Sequence, residues 1–173
     1  MAINKGYLTA KTTKASDEYV TPDYAITPIL EFLNTPLTIW CPFDKEDSPY
    51  VRILRAAGHK VLFSHIDDGK NFFEYEPEEH YDMIVSNPPF SIKDLILKRL
   101  YELNKPYMIL LPIPSLQGQK RFPYIKDCQA LIFDKRISFM NADGVTKTNP
   151  SFGCFYLCRN ALYKDLIFRP LEV

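Results

Sequence analysis

The stretch Asp82-Met83-Ile84-Val85-Ser86-Asn87-Pro88-Pro89-Phe90 carries the reading of the whole chain. Met83, Ile84 and Val85 form a short apolar run of the kind buried in a strand, and it stops at Asn87-Pro88-Pro89. Proline has no N–H to give a sheet ladder, and it pushes the residue before it out of the helical region, so the strand ends at Asn87. Residues 91–100 then show the apolar spacing of an amphipathic helix, with Ser91 placed to cap it. An amide, two rigid prolines and an aromatic ring thus stand at the carboxyl end of a strand. In open α/β sheets that edge is where ligands bind.

The Asn87 side chain and the Pro88 carbonyl, which Pro89 leaves without a competing donor, are two acceptors converging on one point. An exocyclic amino group has two hydrogens to fill them, and the Phe90 ring offers a face to the attached base. The plain alternative is a strand-ending turn that contains two prolines. Asn87-Pro88-Pro89-Phe90 resembles the (Asp/Asn/Ser)-Pro-Pro-(Tyr/Phe) motif of N6-adenine methyltransferases, shared by some N4-cytosine and protein-amide methyltransferases. The resemblance implies that all four residues are catalytic, with Phe90 also stacking on the substrate base.

The rest of the chain sets the bounds. At 173 residues with 46% hydrophobic and 14% aromatic content, it reads as one packed domain over 17–173 behind a loose Lys/Thr/Ala-rich arm over 1–16. No apolar run approaches membrane-spanning length and the start lacks a signal-peptide core, which points to a cytoplasmic protein of a bacterial or phage-infected cell. Cys41, Cys128, Cys154 and Cys158 form no zinc pattern and read as reduced thiols used as small core residues. Formal charge is zero but unevenly spread. Asp67, Asp68, Glu74, Glu76, Glu78, Glu79 and Asp82 cluster before the central motif, and bases from Lys93 to Arg136 outnumber acids after it. That asymmetry permits a nucleic-acid face on the second half, although scattered charges also simply solvate helices.

Upstream, Thr21 reads as the cap of a helix that starts at Pro22 and runs to about residue 34. Asp17-Glu18-Tyr19-Val20-Thr21-Pro22 resembles the opening motif of phage-type adenine methyltransferases, which implies that Thr21 and Pro22 lie beside the methionine end of S-adenosylmethionine. A strand over 37–41 then leads into Cys41-Pro42-Phe43-Asp44-Lys45-Glu46-Asp47-Ser48. In Rossmann-like methyltransferases the corresponding turn is acidic-Pro-x-x-Gly-x-Gly. Here Pro42 and Phe43 match, Cys41 replaces the acid, Ser48 stands where a glycine would, and no glycine is present. Asp44 or Asp47 can take the positive φ that glycine usually supplies, and Ser48 can cap the helix 49–57. Two readings follow: an unusual acidic loop in which Cys41, Pro42, Phe43, Asp44 and Ser48 line the cofactor, or a cofactor site that is weakened or lost.

A second strand over 61–64 is followed by Ser64-His65-Ile66 and Asp68-Gly69-Lys70-Asn71-Phe72. Related proteins read Ser-Asp-Ile and Asp-Gly-x-Asp-Phe in these places. The resemblance implies that His65 donates to a ribose oxygen and Asn71 bonds the cofactor's adenine edge, with Ile66 and Phe72 beside them. Otherwise His65 is a polar strand end and Asn71 caps a turn. His65-x-Asp67-Asp68 has no further ligand to make a metal site. Strands over 107–111 and 130–133 follow, joined by a loop in which Gln117, Gln119, Lys120 and Arg121 face phosphates or bases, or form an ordinary polar connection. A last strand begins at Phe152, which walls the base pocket or packs the core, after a polar loop over 141–150 where small family members contact the target.

The expected fold is α/β, a Rossmann-like methyltransferase with a mostly parallel, seven-stranded-type sheet, a C-terminal antiparallel hairpin and helices on both faces. The resemblance runs over about 17–165 and implies methyl transfer from S-adenosylmethionine to N6 of a flipped-out adenine in DNA, with RNA as the other nucleic acid. The rival is a degenerate methyltransferase fold that binds nucleic acid or a nucleotide without turnover. A nucleotidyltransferase stands further off, because it needs a carboxylate pair for magnesium and only Asp67/Asp68 offers one.

Overall fold

The computed structural model describes residues 19–141, 147–148 and 150–172. The expected arm over 1–16 and most of the 141–150 loop lie outside them. In chain order the elements are β1 (Tyr19–Val20), α1 (Asp23–Ile26), a 3-10 stretch (Thr27–Phe32), β2 (Thr38–Cys41), α2 (Pro49–Ala56), β3 (Lys60–Phe63), a 3-10 turn (Ile66–Asp68) and β4 (Met83–Ser86). A 3-10 turn (Phe90–Ile92), α3 (Lys93–Leu103), β5 (Tyr107–Pro112), a 3-10 turn (Ile113–Leu116), α4 (Phe122–Ile125), β6 (Gln129–Phe133), β7 (Phe139–Asn141), β8 (Lys147–Thr148), β9 (Cys154–Arg159) and β10 (Leu166–Arg169) complete it.

The main sheet has seven strands in the order β10-β6-β9-β5-β4-β2-β3. β3, β2, β4 and β5 run parallel, β9 runs antiparallel between β5 and β6, and β10 is parallel to β6. Helices cover both faces because strand side chains alternate. Ile39, Cys41, Met83, Val85, Met108, Leu110, Tyr156 and Cys158 point to one face, where Ile26, Ile29, Tyr50, Val51, Ile53 and Leu54 pack from α1, the following 3-10 stretch and α2. Trp40, Ile84, Tyr107, Ile109, Leu111, Phe155 and Leu157 point to the other, under Ile96, Leu97 and Leu100 of α3. β4 and β5 are buried at every position, as continuous apolar strands of a doubly covered parallel sheet must be. Ile109, fully buried in β5, is expected to cost about 2–5 kcal/mol when replaced by Ala, read as a lower urea midpoint.

Several local expectations need correction. α1 ends at Ile26 and continues as 3-10 because Pro28 has no N–H to close an α turn. Pro22, not Thr21, holds the N-cap position, and no side chain caps α1. Ser91 lies inside the 3-10 turn before α3 and does not cap it either. Phe152 precedes the strand it was expected to begin, since β9 starts at Cys154 and β10 follows as the last strand. The antiparallel partner of β9 at the C-terminal side is β6. β7 instead leaves the main sheet and joins β1 and β8 in a small antiparallel sheet. Ser48 does cap α2, accepting from the Val51 N–H, with Pro49 at the first turn.

Candidate active site at the carboxyl end of the parallel strands

β2 has β3 on one side and β4 on the other, so the strand order reverses at the β2–β4 pair. The crevice outside the carboxyl ends of strands at such a reversal is the usual ligand site. Four loops meet it: Pro42–Ser48 after β2, His65 and Ile66 after β3, Asn87–Phe90 after β4, and the turn Ile113–Leu116 after β5.

Asp44 crosses the crevice. Its carboxylate accepts a hydrogen bond from the Ser86 hydroxyl at the end of β4, and the Ser48 hydroxyl lies near enough to lower its pKa. The residue is only 7% exposed, and desolvation pushes its pKa up to about 6 against the lowering effect of the two serines. The loop needs no glycine, because the turn closes through the Ser48 N–H to the Lys45 carbonyl at 3.1 Å. Among the described residues the non-glycine positions with positive φ are Asn104 and Asn160, so neither Asp44 nor Asp47 adopts the left-handed conformation expected of it. Asp44 instead turns its side chain inward, beside Cys41, Tyr50 and Tyr156. The Tyr156 hydroxyl donates to the Ala25 carbonyl (3.1 Å) and accepts from Tyr50 (2.8 Å), which braces α1 and α2 under the loop. Pro42 is buried and Phe43 packs on Phe72 with ring centroids 4.9 Å apart. The Cys41 thiol points into the core, where burial and Asp44 push its pKa up, so it offers no side chain to a ligand. Thr21 is 3% exposed; its hydroxyl lies near enough to Tyr50 to lower that group's raised pKa, yet among the described residues it makes no hydrogen bond of ordinary geometry. Pro22 follows at the edge of the same corner.

On β4, the Asn87 Nδ2 donates to the Tyr19 carbonyl at 3.5 Å. A carbonyl can only accept, so this contact fixes the amide orientation and leaves Oδ1 as the free end. That oxygen is buried and, among the described residues, has no hydrogen-bond partner. Buried acceptors are nearly always satisfied, and an orphan beside a strand end calls for a donor. Phe90 stands beside it, edge-on to Phe152 (6.1 Å) and Phe139 (6.4 Å), and Phe139 in turn meets Tyr19 at 5.7 Å. The small sheet therefore forms an aromatic wall next to Asn87. The Tyr24 hydroxyl pins it by accepting from the Ser138 N–H at 2.8 Å. Sequence reasoning brings Asn87, Phe90 and Phe152 together here but misses Tyr19, Phe139 and Ser86. It also misses Ser115, whose buried hydroxyl in the turn after β5 likewise has no partner among the described residues.

The loop after β3 holds His65 as the cap of the turn Ile66–Asp68, its Nδ1 accepting from the Asp67 N–H at 3.2 Å. The same Nδ1 also stands 3.3 Å from the Asp67 carboxylate, so the ring is tied to the turn through that nitrogen. Ile66 next to it is 50% exposed. Asn71 takes the turn role with its oxygen, Oδ1 accepting from the Phe73 N–H at 3.1 Å, which leaves the Nδ2 end to meet a ligand. Phe72 is buried between Trp40 and Phe43 and belongs to the core. Gln117 and Lys120 are exposed, whereas Arg121 is tied to Asp94 (2.7 Å) and to the carbonyls of Pro114 and Gln117, which makes it a loop brace. Among the described residues no group of three or more His, Cys, Asp or Glu side chains is arranged for a metal, and no helix is long and apolar enough to cross a membrane.

No protein-family profile matches the chain, and no curated protein matches it in sequence. In structure it is similar to a Listeria monocytogenes protein assigned to the class I S-adenosylmethionine-dependent methyltransferases, at 10% identity and a TM-score of 0.50, over 98% of this chain and 70% of that one. A type I restriction-modification methyltransferase subunit from Streptococcus thermophilus is also similar, at 10% identity and a TM-score of 0.48, over 88% of this chain and 47% of that one. The chain has the Rossmann-like fold of class I methyltransferases.

Proposed function

We propose that this protein transfers a methyl group from S-adenosylmethionine to the N6 amino group of an adenine turned out of a DNA strand. The observation that carries the proposal is the buried Asn87 Oδ1 at the end of β4, which has no hydrogen-bond partner among the described residues. An acceptor in that position matches the hydrogens of an exocyclic amine, and the Pro88 carbonyl, followed by a residue without N–H, supplies a second. Holding both hydrogens leaves the nitrogen lone pair free to attack, and Phe90 gives the extruded base a surface that offsets part of its unstacking.

The residues around β2 and β3 fit the cofactor. Asp44 is a buried carboxylate that accepts from the Ser86 hydroxyl, a setting that a cationic group would relieve. His65 brings an imidazole that can hydrogen-bond a ribose oxygen, and the half-exposed Ile66 brings an apolar surface for a purine. S-adenosylmethionine, once bound, supplies an electrophilic methyl. The chain's own part is to hold the amino nitrogen, exclude water with the aromatic wall of Phe90, Phe139 and Phe152, and orient the cofactor's charged end at Asp44.

Calorimetric titration with S-adenosylmethionine, followed by labelled-methyl transfer to adenine-containing DNA, tests this. Saturable binding is expected, weakened about fivefold by His65→Ala as one hydrogen bond is lost. Binding without transfer to any adenine-containing DNA or RNA favours the non-catalytic reading, and no binding at millimolar cofactor overturns the enzymatic proposal and leaves the fold as a scaffold for binding something else.

A further inference from the structure

β10 ends one side of the seven-stranded sheet, and among the described residues nothing pairs with its outer edge. The Ala130 N–H donates to the Asp165 carbonyl at 2.7 Å and the Asp134 N–H to the Arg169 carbonyl at 3.2 Å. Backbone groups alternate along a strand, so those of Asp165, Ile167 and Arg169 turn toward β6 and those of Leu166 and Phe168 turn outward. An Arg169 guanidinium nitrogen resting on the Phe168 carbonyl at 2.9 Å agrees with that direction. Side chains alternate as well: Ile167 is buried, while Leu166 is 51% and Phe168 63% exposed. The register sets Leu166 beside Ala130 and Phe168 beside Ile132, both half-buried, so the two exposed side chains extend one apolar shelf.

We infer that this edge is an interface with a second copy of the same chain, β10 against β10 in antiparallel pairing about a two-fold axis at Ile167. The segment Asp165-Leu166-Ile167-Phe168-Arg169 is complementary to itself about that residue. With Ile167 opposite its counterpart, Leu166 faces the second copy's Phe168 and Asp165 faces the second copy's Arg169. The pairs that exchange hydrogen bonds are then Leu166 with Phe168, whose backbone groups point outward. A shift of one residue sets inward-turned groups against outward-turned ones, and a shift of two toward the C-terminus puts Pro170, which has no N–H, opposite Leu166. Opposite charges fall in the close, non-hydrogen-bonded pair, where side chains meet best. Asp165 is exposed, and Arg169 is already held at the edge by Glu31 (2.6 Å) and the Tyr163 hydroxyl (2.8 Å). So short a ladder does not hold a dimer alone. The shelf of Ala130, Ile132, Leu166 and Phe168, meeting its symmetry mate, supplies the apolar burial.

Sedimentation equilibrium of the full chain across the micromolar range tests the inference. The expected result is a mass of two chains, with Phe168→Lys weakening association roughly tenfold or more while the far-ultraviolet circular dichroism is kept. Asp165→Lys and Arg169→Asp are each expected to weaken self-association, and copies carrying one are expected to associate with copies carrying the other. A single-chain mass at every concentration overturns the inference, as does a two-chain species indifferent to Phe168→Lys. Coverage of the edge by another part of the chain would give the first of these.

Discussion

Asp44→Asn is expected to make the protein more stable at pH 7.5 and at the same time to weaken S-adenosylmethionine binding. Burial raises the Asp44 pKa from 3.8 to about 6, so the folded state holds a proton that the unfolded chain has already released over the window between about pH 4 and 6. Stability therefore falls as pH rises through that window. Above it the ionised carboxylate costs about 3 kcal/mol, from a shift of about two units at 1.36 kcal/mol each. Asn removes the charge and still has an oxygen to accept from Ser86. The neighbours Cys41, Tyr50 and Tyr156 all titrate well above neutrality, so none of them masks the change. Asp82 moves the other way, its pKa lowered by the Thr38 N–H, and that makes the wild-type curve alone a poor readout. The difference between variant and wild type, by urea unfolding at pH 4 and pH 7.5, isolates Asp44. A variant equally stable at both values relative to wild type would contradict the assignment.

A residue that costs the fold this much at working pH and stands at the strand-order reversal is better explained by what it binds than by what it packs. Weaker cofactor binding in the stabilised Asp44→Asn variant would tie the cost to function. Unchanged binding would leave Asp44 as a loop brace, with the proposed role of Asn87 untouched.

The β4 segment is legible in sequence because its signals are local. A continuous apolar run, a stop at two prolines and a helical period after them fall within adjacent residues, and the Ser48-Pro49 cap of α2 is equally compact. Pro28 is visible too, yet the apolar spacing of Ile29, Leu30 and Phe32 masks its effect on the helix. What escapes is whatever depends on distant partners. Asp44 turns inward because Ser86, 42 residues away, receives it, while the sequence alone suggests a glycine substitute at positive φ. β1 is two residues long and has no period to detect, so neither its pairing with β7 nor the approach of Tyr19 to Asn87 can be read in advance. Arg121 and Asn71 look like free recognition groups in one dimension, and in three they are engaged by Asp94 and by the Phe73 N–H.

Asn87→Ala is expected to lower the rate of methyl transfer roughly 10²–10³-fold, the scale seen when one positioned polar group is removed from a reacting centre. The same substitution is expected to leave the fold nearly unchanged. Among the described residues Asn87 Oδ1 has no partner to lose, and the Nδ2 bond to Tyr19 is long at 3.5 Å, so the stability cost stays below about 1 kcal/mol. S-adenosylmethionine affinity is expected to hold, because Asp44, His65 and Ile66 lie on other loops. Asn87→Asp separates acceptor chemistry from the donor contact. It keeps an oxygen for the amino group but turns a second oxygen toward the Tyr19 carbonyl, which repels it, so partial activity with a looser small sheet is the expected result. Single-turnover rates on adenine-containing DNA, set beside calorimetry and thermal melts of the same proteins, distinguish these effects. A full loss of cofactor binding in Asn87→Ala would mean that the orphan acceptor serves the cofactor and not the amine, and the base would then have to be held from the Pro88 carbonyl and the aromatic wall alone.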